Sequence, residues 1–119
     1  MSGFIIGRIK SIKFAIKGFF LLLTTENAII SQVFFGLIFT GLGFYLDISK
    51  VDWALQTLAI GLVLSIESLN TAVEKVCDFI HPDHHQKIGF IKDVASGAVT
   101  FAALTALVIG LLIYLPFIL

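Results

Sequence analysis

Between Glu67 and Asp78 the chain reads ESLNTAVEKVCD, with Glu67, Asn70, Glu74 and Asp78 recurring at helical spacing. At about 100° per residue these four side chains fall within roughly 80° of one another, so a helix would present three carboxylates and an amide on one stripe. Ionisable groups at the edge of a hydrocarbon layer are costly to keep there, which makes such a row a functional site by default. Two further polar sets belong with it: Glu26 ahead of one apolar stretch, and Lys92–Asp93 ahead of another. Several carboxylates with a lysine suit a hard cation held by oxygen together with a polyanionic ligand. Mg²⁺ fits, because it is typically bound by one or two carboxylates plus phosphates and waters. No GxxxxGK[ST] loop and no strand-borne GxGxxG occurs, so a nucleotide would have to be held by side chains and metal. Phosphoryl transfer is mostly positioning and charge neutralisation, which helices alone can supply.

The elements that must position these groups are membrane-grade. Of 119 residues, 58% are hydrophobic and 13% charged, and the mean hydropathy is +1.03. Soluble domains carry about 25% charged residues, so the composition excludes an ordinary soluble enzyme and predicts a single all-α membrane domain over 1–119. Residues 28–46 and 94–119 contain no charge, and each meets the roughly 20 apolar residues needed to cross a bilayer. The uncharged run 53–66 is too short alone. Its helical pattern continues to residue 80, giving a third span over 51–80 with a polar extension. At 1.5 Å per residue, Glu67 would lie about 24 Å along a helix starting near Val51, close to the far edge of the hydrocarbon.

Residues 4–24 differ. Ile5, Ile9, Ile12, Ile16, Phe19 and Leu23 recur at helical spacing, with Lys10, Lys13 and Lys17 on the opposite side. That pattern predicts an amphipathic helix lying in the interface. Of eight Lys and Arg residues, all but Lys50 lie before the first span or around the connection between the second and third. The positive-inside rule then places the N-terminus and the acidic row in the cytoplasm. The net charge of zero gives no basic footprint, and no nucleic-acid partner is expected. Ala98, Ala102, Ala106 and Gly110 follow one another every four residues. Small residues on one stripe let membrane helices approach closely, so they predict self-association.

The remaining conspicuous residues read as structural. His81, His84 and His85 in HPDHH lie in a turn set by Pro82 and Asp83, without ligand spacing. Tyr45 and Trp53 flank a short outer turn as interfacial anchors. Cys77 reads as a small apolar residue beside the acidic row. The N-terminus does not resemble a secretory signal, since basic residues follow its first apolar ones.

ESLNTAVEKVCD, followed after a loop by KDVASGAV at residues 92–99, resembles the signature of the prokaryotic diacylglycerol kinases and their undecaprenol kinase relatives. The likeness runs over essentially the whole chain, from Lys17–Gly18 through Glu26 and three spans. It implies transfer of the ATP γ-phosphate to a membrane lipid alcohol, in a homotrimer of the bacterial cytoplasmic membrane. It also implies that Glu67 is the general base and that Glu26 and Glu74 hold Mg²⁺. Nucleotide binding would fall to Lys17, Glu26, Asn70, Glu74, Lys92 and Asp93. Relatives usually carry Arg where this chain has Ile30, so the contribution of the first span to the site differs. Diacylglycerol and undecaprenol both present a hydroxyl on an apolar tail, and no residue separates them. The competing class is a small proton- or cation-coupled transporter, which would favour a lone acid near mid-membrane over acids crowded at one face.

Overall fold

The computed structural model describes residues 2–119. Among them the regular elements are four α-helices: α1 (Ser2–Thr25), α2 (Asn27–Leu46), α3 (Lys50–Ile80) and α4 (Gln86–Ile118). The last three are long and apolar enough to cross a membrane. At 1.5 Å per residue, α4 is about 50 Å long.

Each break has a local cause. Between α1 and α2 only Glu26 leaves the helix, with extended dihedrals (φ −106°, ψ 108°), and it stands as the N-cap of α2. The α2–α3 turn is sharp because Asp47 adopts the left-handed conformation at φ 52°, its N–H reaching the carbonyls of Gly43 and Phe44. Aspartate is among the few residues that tolerate that region. Ser49 then starts α3, its side chain accepting from the Asp52 N–H at 3.1 Å, as an N-cap should. The α3–α4 connection opens at His81, which is extended because Pro82 disfavours helix in the residue before it. It closes at His85, whose Nδ1 accepts from the Lys87 N–H at 3.1 Å. That cap starts α4 at Gln86, so Lys92 and Asp93 project from its second turn.

α3 and α4 form the closest helix pair, whereas α2 meets α3 more sparsely. At the turn end, Ile48, Ile113 and Tyr114 form a small core supported by Leu42, Leu46, Trp53 and Ile109. Gly43 is required there: a Cβ at that position would lie 2.8 Å from the Trp53 ring. Trp53 therefore packs inward against Gly43 and Phe44, with ring centroids of the latter pair 4.7 Å apart. Tyr45, by contrast, is 84% exposed.

The small-residue stripe of α4 faces partly into the chain. Ala102 is buried within the chain and Ala106 and Gly110 line a cavity between α2, α3 and α4. Ala98 is exposed and a Cβ at Gly110 would meet nothing within 4 Å, so the chain's own packing uses the stripe only in part. α1 has no buried residue, and its main packing is against α2. The Cα radius of gyration is 18.0 Å, against about 13.5 Å expected for a compact chain of this length. Among the described residues no large side chain is fully buried, so the packed interior is thin for the surface it must support.

Candidate active site

The site lies where α3 ends, α2 begins and α4 begins. α3 delivers the acidic stripe: Asn70 is 7% exposed, Glu67 and Glu74 are half-buried, and Asp78 reaches solvent a turn later. Asn70 Nδ2 donates to Glu74 Oε1 at 3.2 Å, locking two members of the stripe together. Its Oδ1 is buried without a partner. Rotating the amide would set its oxygen against the Glu74 carboxylate, so the bond to Glu74 fixes its orientation. A buried unpaired acceptor costs about 1–3 kcal/mol, and uncompensated local costs concentrate at functional positions.

Glu67 stands within electrostatic reach of Glu74 and Glu26 and beside Asn70. Glu26 comes from the start of α2. Although it occupies the N-cap position, its carboxylate makes no capping bond to the α2 backbone. It turns instead toward α3, where Lys75 Nζ lies 3.2 Å from Glu26 Oε1. Thr25 Oγ1 adds a weak contact to the same oxygen at 3.4 Å. Lys92, from α4, is held by Asp78 Oδ1 at 2.6 Å and stays within electrostatic reach of Glu74. Three helices thus bring Glu26, Glu67, Asn70, Glu74, Asp78 and Lys92 to one end.

Two expected residues stay outside this arrangement. Asp93 is exposed on α4 and Lys17 is exposed on α1; among the described residues neither makes a side-chain hydrogen bond or ion pair. The structure also adds partners that sequence reasoning missed. Lys75 enters that reasoning only as a charge that orients the chain, yet it ties α2 to α3. Asp78, ambiguous between support and solvated charge, pairs with Lys92. Gln56, an amide inside an apolar span, donates from Nε2 to the Phe39 carbonyl at 3.1 Å and accepts from the Tyr114 hydroxyl. A lone amide among apolar residues was the available signal, since polar side chains within spans hydrogen-bond between helices.

The donor set was tested for a divalent cation. Among the described residues no three His, Cys, Asp or Glu side chains converge as a metal cage. Glu26 and Glu74 are oxygen donors from two helices, both within reach of Glu67, which fits an ion that brings phosphate and water ligands with it. The histidines of the connection serve the backbone instead: His85 caps α4, and His81 Nδ1 lies 2.7 Å from the Asp83 carbonyl. On the hydrocarbon side of Glu67, a cavity of about 180 Å³ runs between α2, α3 and α4. Val63, Leu64 and Gln32 line it near the site and Gln56 and Tyr114 near the turn. Apart from those amides and the phenol it is apolar.

Comparison with known proteins gives a consistent picture. The family model described as prokaryotic diacylglycerol kinase matches residues 13–114. The undecaprenol kinase of Bacillus subtilis is 43% identical over 74 residues, 62% of this chain and 60% of the relative. The diacylglycerol kinase of Haemophilus influenzae is 33% identical over 94 residues, covering 79% of this chain and 80% of the relative. That of Escherichia coli K12 is 34% identical over 64 residues, 54% of this chain and 52% of the relative. The chain thus spans about three fifths of the Bacillus relative and about half of the Escherichia one.

Proposed function

The chain belongs to the prokaryotic diacylglycerol kinase family, and from that premise we propose that it transfers the γ-phosphate of ATP to the hydroxyl of a membrane lipid. The observation that carries this reading is the meeting of Glu26 from α2 with the Glu74–Lys75 turn of α3, next to Glu67 and Lys92. Such a site gathers oxygen donors and cations where a polar nucleotide and an apolar alcohol can both arrive.

In the proposed reaction the lipid hydroxyl attacks the γ-phosphorus, the bond to the β-phosphate oxygen breaks, and the hydroxyl proton passes to the Glu67 carboxylate. Asn70 sets the geometry by holding Glu74 one turn away. Lys92 exchanges Asp78 for the transferring phosphate, where its charge is worth most as the transition state forms. Glu26 and Glu74 would hold Mg²⁺, which when bound with ATP neutralises phosphate charge. Lys17 and Asp93 would contribute nucleotide contacts supplied from α1 and from the outer side of α4. The apolar chain of the acceptor would approach along the cavity beside Val63 and Leu64.

Several features support a wider setting for this site. Seven of eight basic residues at its end favour the cytoplasmic face of a bacterial inner membrane, with α1 in the interface. Apolar residues such as Phe34, Phe101 and Leu112 are largely exposed, which suits helices whose outer faces meet lipid tails. A trimer is the order implied by the family resemblance. The greater identity to an undecaprenol kinase makes undecaprenol the first acceptor to examine. A transporter has no observation in its favour, because the acids gather at one end and do not line a path.

Purified protein in detergent, given labelled ATP and either undecaprenol or a diacylglycerol, should place label in lipid. Release of inorganic phosphate alone, or label in neither lipid, would overturn the assignment.

A further inference from the structure

The Lys75–Glu26 pair has a place in the site that neither the acidic stripe nor the family likeness explains. Gln56 to Phe39 is the polar tie between α2 and α3 near the turn; Lys75 to Glu26 is the tie at the other end. Between them the two helices meet sparsely and enclose the cavity. Glu26 sits in the single extended residue between α1 and α2, so its backbone has no helix of its own to hold the carboxylate toward α3. Its alternative is to stay against the N-terminal end of α2, where the helix dipole favours a carboxylate. The carboxylate declines that position. Lys75 takes Oε1 from the α3 side and leaves Oε2 unengaged by any cation. One carboxylate oxygen is all that a monodentate ligand of a small divalent ion needs.

We propose that Lys75 is a positioning residue: its ammonium turns the Glu26 carboxylate away from the α2 cap and toward α3, so that Glu26 and Glu74 face a common cation. The inference rests on the reading of Glu26 as a metal ligand. Competition between Lys75 and the cation for Glu26 is the opposing possibility, and the two differ in sign. Lysine 69% exposed in its side chain contributes on the scale of a surface ion pair. Loss of positioning should therefore weaken metal binding by about two- to fivefold, whereas loss of a competitor should tighten it.

The test uses the full chain in detergent with Mn²⁺ and a non-hydrolysable ATP analogue, reading free Mn²⁺ by electron paramagnetic resonance. Lys75→Met should weaken Mn²⁺ binding about two- to fivefold. Lys75→Arg should restore it, which a general loss of packing would not allow. Adding Lys75→Met to Glu26→Gln should cause no further loss, because the effect runs through that carboxylate. Unchanged or tighter binding in Lys75→Met, with Glu26→Gln still impaired, overturns the inference and leaves the metal assignment standing. Wild-type binding in Glu26→Gln removes the metal assignment itself, and the inference with it.

Discussion

Replacing Glu67 by glutamine keeps the shape of the side chain and removes the carboxylate that the proposed reaction assigns to take the hydroxyl proton. Its neighbours should hold: Asn70 still donates to Glu74 at 3.2 Å, Lys75 still pairs with Glu26 at 3.2 Å, and Lys92 still pairs with Asp78 at 2.6 Å. Glu67 itself takes part in no ion pair. It shares its surroundings with two other carboxylates, Glu74 and Glu26, so neutralising it relieves like-charge repulsion. Stability should be unchanged or slightly greater, the usual relation where an active site is held at a cost. A positioned general base contributes about 10² to 10⁴ in rate, or roughly 3–5.5 kcal/mol at 1.4 kcal/mol per decade. Single-turnover transfer of labelled phosphate to lipid measures that step directly, and binding of a non-hydrolysable ATP analogue should stay within about threefold because no nucleotide ligand is lost. Transfer within tenfold of the unaltered protein, at equal nucleotide occupancy, would refute the role assigned to Glu67. A fall in both nucleotide binding and unfolding midpoint would refute the claim that its neighbours are independent of it.

Other expectations separate structure from chemistry. Tyr114→Phe removes the hydroxyl that donates to Gln56 Oε1 and leaves a buried acceptor short of a partner. Reversible unfolding in mixed micelles should show a loss of about 1–2 kcal/mol, while transfer per folded molecule stays constant because Gln56 lies about 16 Å along α3 from Glu67. Gly43→Ala pushes a methyl to 2.8 Å from Trp53 and should cost about 1–3 kcal/mol by overpacking, read from the same unfolding curve together with tryptophan fluorescence. Lys92→Met breaks the surface pair with Asp78 and should leave the unfolding midpoint nearly unchanged, yet phosphate transfer should fall at least tenfold; equal small losses in both would deny Lys92 a role in transfer. Chelation of divalent cations should stop transfer and added Mg²⁺ should restore it, followed by label in lipid.

Much of the fold is legible in the chain itself. Residues 28–46 and 94–119 are uncharged, and hydrocarbon leaves few options other than a helix for such runs. The start of α3 at Lys50 and the end at Ile80 follow from Ser49 and Pro82, local signals that act over a turn. The start of α4 is not legible in the sequence because its cap is a histidine, His85, which belongs to no standard capping set. The small-residue stripe was legible as a close-packing surface, but periodicity cannot say which helix will use it; Ala102 is taken by the chain's own packing. In the site, Glu67, Asn70 and Glu74 could be grouped because a helix fixes their relative angles. Glu26, Lys75, Asp78 and Lys92 could not be paired, because each partnership crosses between helices.

The sequence by itself determined that three helices are long and apolar enough to cross a membrane, that α3 carries an acidic stripe on one face, and that seven of the eight basic residues lie outside the α2–α3 turn. These properties depend on hydropathy and on the helical repeat, both local. Only the tertiary structure decided that Glu26 turns to Lys75 and not to its own helix, that Lys92 rests on Asp78, and that Gln56 and Tyr114 close the far end of the cavity. Those choices depend on where one helix lies against another, and no spacing within a single helix contains that information.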